Sequence, residues 1–139
     1  MKPLKTVFIA MLALILALDA EGVERKKLNF NADWLLCVGD EPEATKSTFN
    51  DSQWKRVTLP YAFNGYEAFR KDIVDLTDTI SWYRKHFKLS KEDLQGKVFI
   101  EFEGVRQGAD FYLNDHHLGF SENGVMACGF DLTPYIKEG

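Results

Sequence analysis

The stretch that decides the fold is VFIEFEGVRQGADFYLNDHHLGFS, residues 98–121, because apolar and other side chains alternate along it. The even positions of residues 98–102 and the odd positions of residues 109–113 are all apolar. Successive side chains of a strand point to opposite faces, so a period of two predicts two strands, each with one buried face. Gly104 and Gly108 bracket the turn between them.

A tight hairpin is predicted directly after the second of these strands. Asn114, Asp115 and His116 form its turn, since Asn and Asp tolerate a positive φ better than other non-glycine residues. The returning strand covers residues 117–121, which places His116 and His117 at the hairpin tip.

Two more strands are predicted upstream of the hairpin. Residues 34–38 show the same alternation near the start of the mature chain. Residues 80–89 form the other strand, with Arg84, His86 and Lys88 on its solvent side. The sequence therefore predicts an all-β fold, an antiparallel β-sandwich.

Helical signals are brief and do not change this fold class. Residues 90–93 have the spacing of a helix cap, but Gly96 ends that segment within two turns. Thr133–Pro134 predicts one further helical turn, and residues 64–79 are expected to form a long excursion. A polar turn, residues 137–139, closes the sequence. Because such a turn normally leads into another strand, we expect a sandwich truncated at its carboxyl terminus, with its last strand missing.

The first twenty residues predict a secretory signal peptide. Lys2 and Lys5 give a positive start, residues 7–18 form an apolar run, and Ala20 is a small residue at its exit. The run is shorter than the roughly 20 residues that a membrane span needs. We therefore expect residues 21–139 to be the folded domain of a periplasmic or secreted protein.

Length and charge exclude several functions. The chain has 139 residues and a formal net charge of −4, and loss of Lys2, Lys5 and Asp19 with the signal peptide would make it −5. That length fits one domain, and an acidic balance argues against nucleic acid or a membrane surface as a partner. Cys37 and Cys128 could form one disulfide in an oxidising compartment, although two buried free thiols are the alternative that we favour.

Three stretches carry a family signature. They are FNDSQW at residues 49–54 with Val57 and Leu59-Pro60 after it, WYRKHF at residues 82–87, and a long stretch at residues 98–136 that contains VFIEFEGV, ADFYLN, LGF and FDLTPYI. In this order and spacing they resemble the sugar-binding amino-terminal domain of glycoside hydrolase family 2. Members similar to β-galactosidases are the nearest resemblance, which spans almost the whole mature chain.

The resemblance implies a jelly-roll sandwich, similar to galactose-binding domains, that is not itself catalytic. In this family the paired glutamates lie in a TIM barrel on the carboxyl side of the domain. We therefore expect the chain to belong to an exported retaining glycosidase, similar to β-galactosidases, that hydrolyses O-glycosidic bonds in carbohydrates. Its expected partners are immunoglobulin-like and TIM-barrel domains of the same chain, and the carbohydrate substrate.

Two loops are candidates for contact with the sugar. In the first, residues 59–64, Ala62 stands where family members carry a polar residue. In the second, residues 121–124, some β-galactosidase-like members place an aspartate that contacts galactose and a sodium ion; Asn123 stands there instead and could bind a hydroxyl. The predicted substrate-binding residues are Glu122, Asn123 and Asn64. Each loop could equally be an ordinary surface turn.

No catalytic residue, metal site or cofactor is predicted within this chain. Glu101 and Glu103 are the only tempting carboxylate pair, and the alternation places both on the solvent face of a strand. The three histidines have no carboxylate or cysteine partner in the sequence pattern, so they do not predict a metal site.

Two other functions remain open. One is a self-standing carbohydrate-binding module whose exposed aromatic side chains, Tyr61, Phe63, Tyr66 and Phe69, stack on sugars. The other is an exported adhesion or interaction domain with no role in sugar binding. The codons that follow Gly139 and the sugar binding of the isolated chain would separate these functions.

The signal peptide gives a testable prediction. When the gene is expressed with a functional secretion system, the exported protein should begin at Glu21, because the signal peptidase cuts after a small residue at the end of the apolar run. Mass spectrometry of the exported protein measures this terminus. A protein that keeps residues 1–20 after export would contradict the prediction.

Overall fold

The computed structural model describes residues 25–68 and 78–137, except for the side chains of residues 67 and 68. The chain divides into two units, Met1–Phe30 and Asn31–Gly139. In the first unit the described residues, 25–30, have no regular secondary structure. In the second unit the described residues form seven strands and one short helix. No helix among the described residues is long and apolar enough to cross a membrane.

Long connections join the first four strands, and short turns join the last four. They are β1 (Trp34–Val38), β2 (Lys55–Val57), β3 (Ser81–Arg84), β4 (Phe99–Phe102), β5 (Ala109–Leu113), β6 (His116–Ser121) and β7 (Cys128–Asp131). The helix α1 (Gly65–Ala68) follows β2, and 3-10 turns cover Pro42–Thr45, Asp93–Gln95 and Thr133–Tyr135. The predicted strand over residues 80–89 is therefore shorter than expected.

Every strand pairing is antiparallel. One sheet has the order β2-β1-β3, and two further ladders join β4 to β7 and β5 to β6. In the first sheet Leu36 lies opposite Tyr83, and in the second ladder Ile100 lies opposite Phe130. The predicted all-β, antiparallel fold is confirmed.

Aromatic rings join the three sheets. Trp34 of β1 meets Phe102 of β4 edge to face at 6.4 Å, and Phe102 meets Phe111 of β5 at 4.9 Å. Phe111 in turn lies 4.8 Å from Phe130 of β7. Because these rings come from facing strands, they form the interior between the layers of a β-sandwich.

Five hydrophobic residues are the most buried of the described residues, and one of them, Trp34, belongs to the aromatic row. Trp34, Leu36, Ala44, Val57 and Leu132 each expose only 4–8% of their surface. The alternation in the sequence placed Trp34 and Leu36 correctly on the inner face of β1. Val38, which shares their alternation, is 52% exposed, because the strand ends there.

The predicted hairpin between β5 and β6 is present. Asn114 and Asp115 have φ angles of 47° and 72°, the left-handed values that a two-residue hairpin turn needs. His116 and His117 were expected at the hairpin tip, and this prediction is wrong. They are the first two residues of β6. The Asp115 carboxylate accepts hydrogen bonds from the backbone N–H and, at 2.9 Å, the hydroxyl of Ser47.

Gly119 allows the aromatic row to close. A Cβ atom at this position would lie 2.8 Å from the Phe130 ring, a distance that real Cβ atoms essentially never show. Gly119 is paired with Phe111 across the hairpin. The missing side chain therefore leaves the space in which the rings of Phe111 and Phe130 meet.

Arg84 organises the long loop before β2. Its guanidinium donates hydrogen bonds to the carbonyls of Ala44, of Lys46 at 2.9 Å and of Phe49 at 3.4 Å. It also lies 3.5 Å from the carboxylate of Asp51. A guanidinium offers five donors in a fixed plane, so one side chain can hold several carbonyls of the same loop.

The position of Arg84 corrects the sequence prediction. We expected it on the solvent side of its strand, but its side chain is only 14% exposed. The rings of Phe49 and Trp54 cover it, with centroids 5.6 and 5.5 Å from the guanidinium carbon. The loop that buries Arg84 lies more than thirty positions away in the sequence, so the local alternation could not indicate it.

Two of the predicted turns are held by side chains. Ser90 and Asp93 form a capping box, in which the Ser90 hydroxyl accepts from the Asp93 N–H at 3.2 Å and Asp93 accepts from the Ser90 N–H at 3.2 Å. Asp131 accepts a hydrogen bond from the Thr133 N–H at 3.0 Å. This bond, and not a cap by Thr133 itself, starts the final turn.

Removing Arg84 should destabilise the domain strongly. The Arg84→Met variant keeps the apolar stem but leaves the carbonyls of Ala44 and Phe49 without their donor. The Lys46 carbonyl and the Asp51 carboxylate each lose one of their partners. We therefore expect the free energy of unfolding to fall by about 3 kcal/mol. Urea denaturation measures the change.

The matched control is Arg56→Met, since Arg56 forms a 2.9 Å ion pair with Asp33 in which both side chains are at least 66% exposed. That variant should lose less than about 1 kcal/mol. Equal losses in the two variants would contradict the role of Arg84.

The same cluster predicts a loss of stability in acid. Burial tends to raise the pKa of Asp51, but hydrogen bonds and charges from His86 and Arg84 outweigh it and hold the pKa below its ordinary value of 3.8. A carboxyl with a lowered folded pKa stabilises the protein above pH 3.8, and this contribution disappears as the pH falls through the folded pKa. Asp51→Asn should therefore be less stable at neutral pH and should depend less on pH below 4. Unfolding curves from neutral to acidic pH test this, and an unchanged pH dependence in the variant would refute it.

Candidate functional site

The second predicted loop lies directly after β6 and is held by its own backbone. Glu122 and Asn123 are both exposed. The side-chain oxygen of Asn123 accepts a hydrogen bond from the Val125 N–H at 3.1 Å. This bond closes an Asx turn, so the amide nitrogen is the donor that Asn123 can offer to a ligand. The Asx turn also leaves Val125 87% and Met126 62% exposed.

Gly124 brings this loop against the turn between β4 and β5. A Cβ atom on Gly124 would lie 3.2 Å from the Cα and 3.3 Å from the Cγ of Arg106. Arg106 is exposed, and its peptide bond to Gln107 is cis. The contact places the backbone and the side-chain stem of Arg106 beside Gly124, the residue that follows Asn123. The two glycines of that turn were visible in the sequence, but the contact with Gly124 was not.

The first predicted loop is anchored from β3. The hydroxyl of Tyr83 donates a hydrogen bond to the carbonyl of Tyr61 at 2.9 Å. Burial raises the pKa of Tyr83, so its hydroxyl remains a donor at neutral pH. Lys55 reaches the hydroxyl of Tyr61 at 2.5 Å, with its ammonium 4.8 Å from the ring centre. Asn64 is half-buried at the far end of this anchored segment.

The structure brings two of the three predicted residues together. Glu122 and Asn123 are neighbours in one loop, whereas Asn64 lies in the turn before α1. Within the described ranges, no hydrogen bond or ring contact joins Asn64 to the other loop. Of the aromatic side chains proposed as stacking platforms, Tyr66 is 83% and Tyr61 37% exposed. Phe63 is half-buried, and Phe69 lies outside the described residues.

Two of the three histidines have carboxylate partners that the sequence pattern did not reveal. His86 lies 2.6 Å from Asp51, and His117 lies 2.7 Å from Asp110. The expectation that they lack such partners is therefore wrong. Among the residues that the structure describes, no group of three or more His, Cys, Asp or Glu side chains could hold a metal ion.

The cysteines occupy different sheets. Cys37 lies in β1 and Cys128 in β7, and each is a half-buried free thiol in the structure. Burial, together with the nearby charge of Glu41, raises the pKa of Cys37. A raised pKa lowers the thiolate fraction, so this thiol is a poor nucleophile.

Glu101 and Glu103 lie on or just after β4, and both side chains are exposed, as the alternation predicted. Glu101 lies on the strand and Glu103 in the bend that follows it. A retaining glycosidase instead holds its two carboxyls about 5–5.5 Å apart on either side of the scissile bond. This pair does not have that arrangement.

Residues 19–139 match the model of a family described as glycosyl hydrolases family 2, sugar binding domain. The match covers more than half of the chain, and the chain belongs to this family. The region is the sugar-binding domain that is found at the amino terminus of these glycosidases.

Curated relatives with similar sequences are glycosidases. The chain is 44% identical over 124 residues to a β-glucuronidase from Formosa agariphila, which covers 84% of this chain and 12% of the relative. It is 38% identical over 117 residues to a β-galactosidase from Thermoanaerobacter pseudethanolicus, which covers 83% of this chain and 15% of the relative. The chain therefore spans only about an eighth to a seventh of the length of these relatives.

Solved structures confirm the sandwich fold. A β-glucuronidase from glycoside hydrolase family 2 superposes with a TM-score of 0.70 at 39% identity, over 84% of this chain and 14% of that one. A β-glycosidase from Bacteroides vulgatus superposes with a TM-score of 0.72 at 34% identity, over 83% of this chain and 16% of that one.

Proposed function

We propose that this chain is the non-catalytic amino-terminal domain of an exported retaining glycosidase, which braces the catalytic barrel and lends loops to the sugar pocket. One observation carries the proposal. The chain matches a single domain of family 2 over nearly its whole length, and that domain is only 12–15% of the relatives that it resembles. The chemistry of hydrolysis then belongs to the remaining part of such an enzyme.

The carboxylates of this domain support a non-catalytic role. Hydrolysis with retention needs one carboxyl as a nucleophile and another as an acid and base. Glu101 and Glu103 are both exposed, the first on β4 and the second just after it. The pair therefore lacks the enclosed surroundings in which such carboxyls act.

The loop after β6 is the part that we expect to reach the sugar. Asn123 is held by its turn, exposed, and adjacent to the exposed carboxylate of Glu122. A fixed amide donor beside a carboxylate acceptor can bind neighbouring hydroxyls of a pyranose without a large loss of side-chain entropy. Asn64, in the anchored segment before α1, would provide a further amide to the same sugar.

The other domains are proposed from family membership, and the location is proposed from residues 1–20. We expect an immunoglobulin-like domain and a TIM barrel in the same chain, with the sandwich packed against them. Residues 1–20, which lie outside the described residues, have the composition of a signal peptide and support export to the periplasm or beyond.

The substrate is proposed to be a β-galactoside. Asn123 stands where some β-galactosidase-like members of the family carry an aspartate, and its amide nitrogen can bind a hydroxyl of the sugar while its oxygen closes the turn. A β-glucuronide is the second candidate, because the relative that is 44% identical is named a β-glucuronidase.

The proposal is tested with the protein that the open reading frame encodes beyond Gly139. We expect it to hydrolyse para-nitrophenyl β-galactoside or β-glucuronide, whereas the 139-residue chain alone should not. In the longer protein, Asn123→Ala should lower kcat/KM about tenfold, the effect of losing one hydrogen bond in the transition state. Asn123→Asp keeps the acceptor that closes the turn, so it should retain more activity than Asn123→Ala.

The control is Gln53→Ala, since Gln53 is exposed in the turn before β2 and is not one of the predicted sugar contacts. It should leave kcat/KM unchanged. A stop codon directly after Gly139 would contradict the proposal, and so would hydrolysis by the isolated chain that disappears in Glu101→Gln or Glu103→Gln. Equal effects of Asn123→Ala and Gln53→Ala would remove Asn123 from the site.

A further inference from the structure

The outer face of the β5–β6 hairpin carries a polar and aromatic cluster that the proposed function does not use. Asp110 lies opposite Phe120 in the ladder, and Tyr112 lies opposite His117. Side chains that are opposite each other, or two positions apart on one strand, point to the same face. All four side chains therefore share one face, which we call the hairpin face.

A β-bulge creates this arrangement. The register of the ladder shifts between Phe111 and Tyr112, so that Phe111 pairs with Gly119 and Tyr112 pairs with His117. Leu118 is the extra residue. In a regular strand, residues 117 and 120 would point to opposite faces, and the bulge turns Phe120 to the side of His117 and Asp110. Bulges commonly re-aim side chains in this way next to functional sites.

The side chains of the hairpin face are accessible to solvent, and several of them contact one another. Tyr112 is 39% and Phe120 54% exposed, and the side chains of Asp110 and His117 are about half exposed. His117 lies 2.7 Å from the Asp110 carboxylate, and its ring is 5.0 Å from that of Tyr112. Trp82 supports Tyr112 from β3, with ring centres 6.4 Å apart. The carboxylate is therefore held beside an aromatic ring.

We propose that the hairpin face is a second saccharide-binding site, separate from the loop at Asn123, and that it selects neutral pyranosides. A pyranose has an apolar face of C–H groups and a rim of hydroxyls. The exposed ring of Tyr112 offers an amphipathic surface for the C–H face. The carboxylate of Asp110 accepts hydrogen bonds from hydroxyls at the rim, and such bonds to a charged acceptor are stronger than neutral ones.

Charge decides which saccharide fits. Asp110 has an acidic side chain, and the chain carries a formal net charge of −4. A uronic acid would bring a second carboxylate to this carboxylate, and like charges about 5 Å apart repel even in water. A neutral galactoside meets no such repulsion. The hairpin face should therefore prefer a galactoside over a glucuronide by at least about fourfold in Kd.

The test uses the isotope-labelled 139-residue chain and amide NMR spectra. Titration with methyl β-galactoside should shift the resonances of Tyr112, His117 and their neighbours, with a Kd of roughly 1 mM or weaker, as befits a shallow exposed site. Methyl β-glucuronide should cause the same shifts only at several-fold higher concentration.

Two carboxylate variants separate the site from general charge effects. Asp110→Asn keeps the shape of the side chain but removes its charge, so the Kd for the galactoside should rise about fivefold and the preference over the glucuronide should vanish. Glu103→Gln removes the same charge from an exposed position at the end of β4 and should leave both Kd values unchanged. Equal effects of the two variants would overturn the proposal.

Three further outcomes would also overturn it. The first is an absence of shifts with either sugar. The second is a set of shifts confined to Asn64, Glu122 and Asn123, which would support the proposed function but place no sugar on the hairpin face. The third is a shift of Tyr112 and His117 that depends on protein concentration without sugar, because that would identify a second copy of the chain as the occupant.

Discussion

One guanidinium holds together parts of this domain that the sequence keeps far apart. Arg84 ends β3, yet its donors reach carbonyls at positions 44, 46 and 49, in a loop that has little regular structure of its own. The loop has no ladder to satisfy those carbonyls, and although the Phe49 N–H reaches the Lys46 carbonyl, the guanidinium is the partner that all three share. Once the loop is fixed, Ala44 is buried and Asp51 is held beside His86. Ser47 also reaches the turn of the β5–β6 hairpin, which links that hairpin to the same loop.

The sequence predicted the elements that depend on local pattern. The period of two located β4 and β5 and assigned their inner faces, because burial in a two-layer sandwich repeats with the pleat of each strand. The hairpin turn was also predictable, since Asn114 and Asp115 are residue types that accept a positive φ. The side of the strand on which Arg84 functions was not predictable. It depends on a loop that folds over the strand, and alternation along β3 contains no information about that loop.

The candidate sites also contain some features that the sequence could predict and others that it could not. Asn123 was identified by resemblance, and the hydrogen bond that fixes its side chain is local. The N–H of Val125, two positions further on, donates it to the Asn123 side-chain oxygen. The contact between Gly124 and Arg106 is not local, and only the structure shows it. The hairpin face was also not predictable. The predicted three-residue turn places His117 opposite Leu113, whereas the observed two-residue turn places it opposite Tyr112, on the side of Asp110. The extra residue in β6 then brings Phe120 to the same face, and a bulge leaves no clear mark in one sequence.

Gly119 has a consequence for how this domain can change during evolution. The atom that a larger residue would add at position 119 falls on the ring of Phe130, so the two positions cannot vary independently. Gly119 also has a φ of 157°, a value at which an L side chain is strained, so a smaller side chain at position 130 would not by itself make an alanine at 119 acceptable. Among related domains, we expect glycine to be kept at position 119, which leaves room for a large ring at position 130.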